Sequence, residues 1–516
     1  MTRSADYAKH HNLGGDLMAQ KEQWGSRLGF ILAAIGMAVG TGNIWRFPRI
    51  VGNNDGGSFL IAYLIANLVW AIPIIMTEIA IGKKTRLGTI GSFRDFAGEK
   101  RSWQGGWISW VCAAITFYYA VVFAWSMRYF LFAVEGAFTP TTDTQALWEG
   151  FIGNPIQTIS FQAIALTLAG FIIYRGVKGG LEAAGKIMIP VLFISLISAA
   201  VWAISKPGAM AGLEFLFVPR WESLLQPKIW LNAFTQAAWS SGAGWGMMLT
   251  YANYMKKKED IALNAFLIGF GDSLGAMLGA LAVLPTVFAL SATKEAAIAS
   301  LSTGNTGLTF IYLAKLFPTM PGGRIIASLF FLALSLAALT SLLPQMEVLV
   351  KNFIDAGFER KKAVLYVTIG SFIFGIPSAY SIKFLNNQDW VWGIGLLICG
   401  LFLAMAVYRY GIDRFRVELI NKDSDIKIAG WYYSFCLRVY PILLAVIVGW
   451  WLWQSIGWDP QNFWNPFGSE TTGTVVFQVV LSILVFMFAN KGLNKWISKS
   501  PTVWVDNKKS AMKEEA

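Results

Sequence analysis

Residues 36–43 read GMAVGTGN and lie in the middle of an apolar stretch that covers residues 27–52. A second cluster of small residues, SSGAGWG at 240–246, lies in the middle of the apolar stretch 228–255. Close packing of helices through small residues is the alternative explanation for a single such pattern, but these clusters are too dense for one packing face. The pattern therefore predicts two helices whose backbone is interrupted half-way along.

The composition around these clusters is that of a polytopic membrane protein. Of the 516 residues, 55% are apolar and 14% are charged, and the mean hydropathy is +0.51. A soluble globular chain is about a quarter charged, so the soluble, disordered and coiled-coil classes are excluded. The formal net charge is +12, but the basic residues lie in short stretches between apolar runs, which indicates cytoplasmic loops and not a nucleic-acid-binding surface.

Apolar runs of roughly 20 residues, the length that crosses a bilayer, occur twelve times in the chain. We number them span 1 to span 12, and they cover residues 27–52, 57–83, 107–134, 156–175, 185–205, 228–255, 260–292, 322–355, 362–380, 389–410, 430–456 and 472–490. Lys and Arg cluster in the connections after spans 2, 4, 6, 8 and 10, whereas 136–155 and 457–471 contain neither. Positive charge marks cytoplasmic loops, so both termini are expected in the cytoplasm.

The two interrupted spans occupy equivalent positions if spans 1–5 and spans 6–10 are inverted repeats. A pair of glycine-interrupted segments in corresponding places is the best sequence indicator of a transporter's binding site. The predicted fold is an all-α membrane protein of twelve transmembrane helices, with two five-helix inverted repeats and broken helices 1 and 6. The predicted segments are an N-terminal tail with gate residues, the first repeat, the second repeat, spans 11–12 and a C-terminal tail, at 1–26, 27–205, 228–410, 430–490 and 491–516.

The chain lacks residues that an intramembrane enzyme needs. Both histidines, His10 and His11, lie in the N-terminal tail, and the three cysteines are scattered through apolar runs. No HExxH motif occurs, so a metalloprotease would have neither its zinc ligands nor its general base. No enzymatic activity is expected, and the cysteine spacing indicates neither a disulfide framework nor a metal centre.

Residues 24–48, WGSRLGFILAAIGMAVGTGNIWRFP, resemble the first span of the neurotransmitter:sodium symporter family, and specifically of its bacterial amino-acid transporters. The resemblance continues through 53–57 (NNDGG), 118–119 (YY), 236–254 and 337–341 (AALTS), and so extends over at least the ten core spans. It implies the leucine-transporter fold, with broken helices 1 and 6. It also implies that Na⁺ is the ion bound and carried with the substrate.

The resemblance further implies a substrate site between the two broken spans. Family members that carry biogenic amines have an aspartate where this chain has Gly40, so the expected substrate is an amino acid. Tyr119 and the backbone near Thr41 and Gly42 match positions that hold the substrate carboxylate, and the side-chain pocket carries no charge, which favours a neutral substrate. The implied substrate-binding residues are Met37, Ala38, Thr41, Gly42, Ile115, Tyr119, Val122, Trp239, Ser240, Gly242, Trp245, Ser341 and Gln345.

Two sodium sites are implied by the same resemblance. The first joins spans 1 and 8 and comprises Gly36, Val39, Ala337, Thr340 and Ser341. The second comprises Ala38, Asn43, Ser240 and Asp272. Carbonyl and hydroxyl oxygens suit a hard cation without burying charge. The alternative for the hydroxyls of the first set is a bond back to the carbonyls of their own helix.

Asp272 is a departure from the family pattern, in which asparagine is usual at this place. An acid inside a span is expensive and by default functional. Its carboxylate would supply the negative charge that chloride provides in chloride-dependent relatives, so we expect a chloride-independent protein in which Asp272 ligates sodium or takes up a proton. The alternative is that Asp272 lies outside the site, paired with a polar neighbour.

Other polar residues near the ends of the spans match two gates of the family. The extracellular gate comprises Arg46, Gln236 and Asp389, and the cytoplasmic latch comprises Lys21, Trp24, Tyr254 and Asp355. Lysine stands at 21 where relatives often carry arginine, and because it cannot form the same bidentate bond we expect a looser latch. The acids Glu78 and Glu347 are assigned to bonds that stabilise the broken helices.

The expected function is sodium-coupled import of a neutral amino acid by alternating access, independent of chloride. Two alternatives stay open: a transport-inactive amino-acid sensor of the same fold, and a proton-coupled carrier that uses Asp272. The short connection 136–155 contains no cysteine and resembles that of prokaryotic members, so we expect the protein in the inner membrane of a prokaryote. The expected partners are the substrate, sodium ions and the lipid bilayer, with no nucleic acid, and a homodimer is left open.

Overall fold

The computed structural model describes residues 22–302 and 304–498. All regular secondary structure within these two ranges is helical. Lys21 of the predicted latch lies outside the described residues, as do most of the N-terminal tail and the end of the C-terminal tail.

Nine described helices are long and apolar enough to cross a membrane. They correspond to spans 2–5 and 7–11, and their bounds are Gly57–Thr85, Glu99–Glu135, Pro155–Tyr174, Val177–Ile204, Ala262–Leu290, Gly323–Asp355, Arg360–Tyr380, Ile382–Tyr410 and Gly430–Trp458. Two bent helix pairs raise the number of candidate spans to eleven. These pairs are span 1, Arg27–Ala38 with Gly42–Gly52 at 50°, and span 12, Thr472–Phe488 with Asn490–Trp496 at 58°.

Span 6 accounts for the difference between these eleven candidates and the twelve spans that the sequence predicts. It consists of the helices Pro227–Ser240 and Met247–Ala252, which are 14 and 6 residues long. Each is too short to cross a bilayer alone. The twelfth span therefore depends on joining these two helices across their six-residue break, 241–246.

Span 10 begins earlier than predicted, at Ile382 and not at 389. Ser381 caps this helix, because its hydroxyl accepts the backbone N–H of Phe384 at 3.4 Å. The added turns contain Leu385 and Asn386, which line an internal cavity together with Asp389 at the predicted start. Apolarity is a poor guide to such a helix end, since its polar side chains face an internal space and not lipid.

The short helices outside the spans form the connections at the membrane surfaces. Their bounds are Thr89–Ala97, Thr144–Ile152, Ala209–Phe217, Trp221–Leu225, Lys294–Leu301, Gly304–Thr306, Gly307–Leu313, Ala314–Leu316, Phe317–Thr319, Ile412–Phe415 and Arg416–Ile420. The spans differ in how far they are enclosed by protein: the most apolar parts of spans 3, 10 and 8 are 83%, 78% and 72% buried, against 28% for span 11. Spans 3, 8 and 10 are therefore the most enclosed of the nine continuous spans.

Candidate functional site

Span 1 is interrupted where the sequence predicts it. The helix Arg27–Ala38 ends, and the chain resumes at the π-helical turn Gly42–Arg46 after a bend of 50°. The backbone N–H of Gly40, inside the break, donates to Oδ1 of Asn43 at 3.0 Å. A Cβ atom on Gly40 would lie 2.8 Å from Oγ of Ser341, so a side chain here would displace that hydroxyl of span 8.

Span 6 is interrupted over residues 241–246. Gly242, Gly244 and Gly246 have φ angles of +67°, +94° and +78°, which only glycine adopts readily. The carboxylate of Glu78, on span 2, accepts the backbone N–H groups of Gly244 at 3.0 Å and of Gly246 at 2.6 Å. A buried acid thus compensates amide groups that the interrupted helix leaves without partners, in agreement with the bond to a broken helix that the sequence predicts for Glu78.

Asp272 of span 7 lies between the two breaks. Its Oδ1 accepts from Nδ2 of Asn43 at 2.7 Å and from the hydroxyl of Ser240 at 2.8 Å. Its Oδ2 accepts from the hydroxyl of Tyr63 at 3.0 Å. The side chain is fully buried, and no ion pair to it occurs within the described ranges. The structure therefore brings Asp272 together with two other members of its predicted set.

Tyr63 is a member of this cluster that the sequence analysis missed. It lies on span 2, is 4% exposed, and packs against Phe47 with a ring-centroid distance of 4.9 Å. A tyrosine in an apolar span is by default a packing residue, so nothing in its own pattern distinguished it. The indication available was indirect, because a buried carboxylate requires several donors and Asn43 and Ser240 supply only two of them.

The first predicted sodium set also comes together, at the contact of spans 1 and 8. A Cβ atom on Gly36 would lie 3.2 Å from Cβ of Thr340, and the hydroxyl of Ser341 donates to the carbonyl of Met37 at 3.1 Å. The hydroxyl of Thr340 donates to carbonyls of its own helix at 2.9 and 3.1 Å, as in the alternative stated above. Donation uses only the hydrogen, so both hydroxyl oxygens keep lone pairs for a cation. All five members are buried: Gly36, Val39, Ala337, Thr340 and Ser341.

A cavity of about 510 Å³ lies between the breaks and extends to the connection 457–471, where Glu470 lines it. Twelve of the thirteen predicted substrate residues line this cavity: Met37, Ala38, Thr41, Gly42, Tyr119, Val122, Trp239, Ser240, Gly242, Trp245, Ser341 and Gln345. Ile115 does not line it and is fully buried. Ile115 lies one helical turn before Tyr119 on span 3, and its role in substrate binding stays a prediction.

The hydroxyl of Tyr119 lies at the N-terminus of the resumed span 1. It accepts from the backbone N–H and from the hydroxyl of Thr41, both at 3.2 Å. No atom lies within 4 Å of the position that a Cβ atom on Gly42 would occupy, so the next peptide faces open space. Amide groups at such a helix start favour an anionic group such as a carboxylate.

The sodium:neurotransmitter symporter family model matches residues 21–149 and 152–497, nearly the whole chain. The chain belongs to the sodium:neurotransmitter symporter family. The resemblance stated from the sequence is thus confirmed. The chain is an integral membrane protein and a sodium-dependent transporter, not an enzyme.

Three relatives of this transporter cover most of its length. An uncharacterised sodium-dependent transporter of Methanocaldococcus jannaschii is 32% identical over 490 residues, 91% of this chain and 96% of the relative. The uncharacterised sodium-dependent transporter YhdH of Bacillus subtilis is 31% identical over 447 residues, 83% of this chain and 96% of the relative. The crystal structure of MhsT in complex with L-phenylalanine is 31% identical, with a TM-score of 0.73, and the match covers 83% of this chain and 99% of MhsT.

One five-residue stretch of this transporter matches a hydrolase pattern by letters alone. Residues 271–275 read GDSLG, which fits GxSxG, but they lie inside the continuous helix Ala262–Leu290. The hydrolase motif needs a sharp turn between a strand and a helix, which exposes the serine. Here the hydroxyl of Ser273 donates to the carbonyl of Gly269 at 3.0 Å, within the helix.

The predicted extracellular gate of the transporter is not closed. Arg46 and Asp389 form no ion pair in the part of the chain that the structure describes. The guanidinium of Arg46 lies 5.4 Å from the ring centroid of Trp239, and Asp389 accepts the hydroxyl of Tyr118 at 3.0 Å. Both amide atoms of the Gln236 side chain are buried without a hydrogen-bond partner among the described residues. All three gate residues line the cavity, which continues past them.

Glu470 extends the charged wall of the cavity beyond this gate. Its burial, together with the nearby Asp389 carboxylate, raises the pKa of Glu470 above its ordinary value. Arg46 and Arg49 line the same part of the cavity. The outer part of the cavity is therefore charged, in contrast to the part between the breaks.

Two members of the predicted cytoplasmic latch, Trp24 and Tyr254, are in contact. The backbone N–H of Trp24 donates to the carbonyl of Tyr254 at 3.1 Å, and the indole N–H donates to the carbonyl of Tyr251 at 3.0 Å. The hydroxyl of Tyr254 donates to Glu347 at 2.5 Å. The bonds of Trp24 hold the segment before span 1 against span 6, and the bond of Tyr254 joins span 6 to span 8.

Two ion pairs in this region were not predicted from the sequence. Arg360 pairs with Glu22 at 2.6 Å and with Glu347 at 2.7 Å, and it joins the segment before span 1 to span 8. Burial raises the pKa of Glu22, although Arg360 opposes the shift. Asp355 contacts Lys351 of its own helix and accepts the backbone N–H of Gly88 at 2.5 Å, and its predicted pair with Lys21 lies outside the described residues.

Proposed function

We propose that this transporter imports a neutral amino acid with sodium by alternating access. The observation that carries the proposal is the position of Asp272, which is bonded to Asn43 directly after the break of span 1 and to Ser240 directly before the break of span 6. Asn43 and Ser240 also line the cavity. A sodium ion bound at this carboxylate would therefore lie at the edge of the substrate's cavity, which is the arrangement that couples the two.

A neutral amino acid fits the charge distribution of the cavity. The substrate's carboxylate would be held by sodium, by the hydroxyl of Tyr119 and by the backbone near Thr41 and Gly42. Its amino group would bind the carbonyls near Ala38 and Trp239. The charged lining residues lie at the gate and beyond it, so the part of the cavity left for the side chain offers no ionic partner: Arg46, Arg49, Asp389 and Glu470.

Chloride independence is part of the proposal. The Asp272 carboxylate supplies a fixed negative charge where two broken helices meet, so that a sodium ion there needs no second anion. The first sodium set, at spans 1 and 8, supplies only neutral oxygens, and its ion would be held by the number of its ligands. We assign sodium to both sets.

Alternating access suits a fold in which both breaks face one cavity. Spans 1 and 6 break after 12 and 14 helical residues, as expected if spans 1–5 and 6–10 are inverted repeats within twelve spans. The open outer gate, together with the bonds that hold Trp24 against span 6, supports an outward-facing state. The inner membrane of a prokaryote, with both termini in the cytoplasm, is the proposed location.

Uptake of radiolabelled neutral amino acids into proteoliposomes tests this proposal. We expect accumulation that is driven by an inward sodium gradient and is the same with and without chloride. Asp272→Asn should lose this uptake in chloride-free buffer, whereas Asp143→Asn, at an exposed helix start, should keep it.

Two other results would favour the alternatives. Uptake that is driven by a proton gradient without sodium would favour a proton-coupled carrier, provided that Asp272→Asn loses it. This alternative is based on the buried Asp272 carboxylate, which has no ion pair among the described residues. Sodium-dependent binding of an amino acid without any accumulation would favour a sensor of the same fold.

A further inference from the structure

Two polar side chains in the cavity between the breaks lack hydrogen-bond partners. The indole Nε1 of Trp245 and the amide Oε1 of Gln345 are both buried, and neither has a partner among the described residues. Trp245 is 5% exposed and Gln345 is 1% exposed, and both line the cavity. A buried polar atom without a partner is costly, and the large majority of such atoms in proteins are bonded.

The other polar side chains of this part of the cavity already have partners. Tyr119 is bonded to Thr41, Ser240 donates to Asp272, and Ser341 donates to Met37. Buried polar atoms without a partner among the described residues also occur in the outer part of the cavity, at Arg49, Trp125 and Gln236. In the part between the breaks, the described groups left over for a ligand are those of Trp245 and Gln345.

The two groups offer complementary chemistry from two different spans. The indole N–H of Trp245 can only donate, and the amide oxygen of Gln345 can only accept. Trp245 lies in the break of span 6 between two glycines of positive φ, and its ring contacts Trp239 edge-on at 5.9 Å. Gln345 lies one helical turn after Ser341 on span 8, on the face that borders the cavity.

We propose that this transporter selects neutral amino acids whose side chain carries both a hydrogen-bond donor and an acceptor, which means a hydroxyl or a primary amide. The inference rests on the proposed function. The substrate's oxygen accepts from the indole of Trp245, and its O–H or N–H donates to the amide of Gln345. An apolar side chain of the same size leaves both protein groups buried without partners.

We expect strong discrimination between polar and apolar substrates, because an apolar substrate leaves two buried polar groups of the protein without partners. A site that hydrogen-bonds a substrate's hydroxyl or N–H can discriminate by about 10⁴-fold against the analogue that lacks this group. One unpaired group corresponds to about 10- to 100-fold in affinity. With two groups involved, we expect the polar member of an isosteric pair to bind at least about tenfold more tightly.

Binding of four pairs of near-isosteric amino acids tests the inference on the unaltered protein. The pairs are tyrosine and phenylalanine, threonine and valine, glutamine and methionine, and asparagine and leucine. Sodium-dependent affinity is measured for all eight with the purified transporter. In the pair that binds best, the polar member should bind at least about tenfold more tightly than the apolar member. Equal or tighter binding of the apolar member would overturn the inference.

Two substitutions assign the discrimination to the named groups. Trp245→Phe keeps an aromatic ring without the N–H, and Gln345→Met keeps the length without the amide. Each should reduce the ratio within the best pair by about tenfold, mainly by weakening the polar member. Trp110→Phe is the matched control, because Nε1 of Trp110 is also buried and unpartnered but does not line the cavity. A ratio unchanged in both variants would overturn the assignment.

The same measurements separate this inference from the function on which it rests. Sodium-dependent binding of any of the eight amino acids supports the sodium-coupled amino-acid site on which the proposed function depends, whichever member of a pair binds better. A preference for apolar members removes only the inference. Absence of sodium-dependent binding by all eight, in protein that is folded by thermal melting, removes both.

Discussion

Tyr63→Phe should weaken sodium binding without unfolding the protein. The hydroxyl of Tyr63 donates to Oδ2 of Asp272 at 3.0 Å, on the side of the carboxylate away from Asn43 and Ser240. This bond orients the carboxylate so that Oδ1 faces the two residues that line the cavity. Phenylalanine fills the same space and keeps the ring contact with Phe47, so only the bond is lost.

The size of the effect follows from the kind of bond removed. A hydrogen bond to a charged group contributes about 1.5–3 kcal/mol. Since a tenfold change in an equilibrium constant corresponds to about 1.4 kcal/mol, the loss is about 10- to 100-fold in apparent sodium affinity. Loss of a residue that orients a metal ligand typically costs metal affinity by a similar factor, about 10- to 100-fold.

Sodium titration of substrate binding to the purified protein measures this affinity. Tyr433→Phe is the matched control: Tyr433 is also fully buried, and its hydroxyl lies 2.7 Å from that of Thr77, a residue that does not line the cavity. The control should keep the sodium affinity of the unaltered protein. If Tyr63→Phe binds sodium as tightly as the control does, the role of Asp272 as a sodium ligand oriented by Tyr63 is refuted.

Three further substitutions test other parts of the site. Glu78→Gln replaces an oxygen that accepts an N–H of span 6 by a donor, so thermal melting should show a loss of about 1–3 kcal/mol, with reduced transport; an unchanged melting curve would contradict this role. Gly82→Ala should destabilise the protein because its Cβ would lie 2.0 Å from a backbone carbonyl oxygen of span 6, whereas Gly370→Ala, where no atom lies within 4 Å, should be neutral in the same melting assay. Arg360→Gln leaves two carboxylates without their shared cation, so hydrogen exchange over residues 22–26 should accelerate; equal protection would show that the latch does not depend on it.

The interrupted spans were predictable because dense glycine clusters destabilise a continuous helix and can be recognised in the sequence. Dense clusters at 36–43 and 240–246 conflict with a continuous apolar helix, and the structure breaks at both. Asp272 was predictable for the same kind of reason, since a carboxylate inside a span requires polar partners. The family resemblance then indicated Asn43 and Ser240, and the structure brings them to it.

Other contacts were not predictable because their residues look ordinary in sequence. Arg360 follows span 8 among other basic residues and reads as part of a cytoplasmic loop, yet it pairs with Glu22, which is 338 positions away. Lys351 and Asp355 are different, because their spacing of four residues on a helix favours a pair. The resemblance directed attention to Lys21, which lies outside the described residues, and the local spacing was overlooked.

Span 2 is hydrogen-bonded to the other spans of the site at two points along its length. Tyr63 is bonded to Asp272 of span 7, and Glu78 is bonded to the glycine segment of span 6. The two attachment points are fifteen residues apart, about 22 Å along a helix axis. A shift of span 7 at the Asp272 carboxylate must therefore carry span 2, and with it the glycine segment of span 6. Otherwise one of these hydrogen bonds must break. The interrupted backbone of span 6 is therefore constrained to move with the carboxylate that we propose as a sodium ligand.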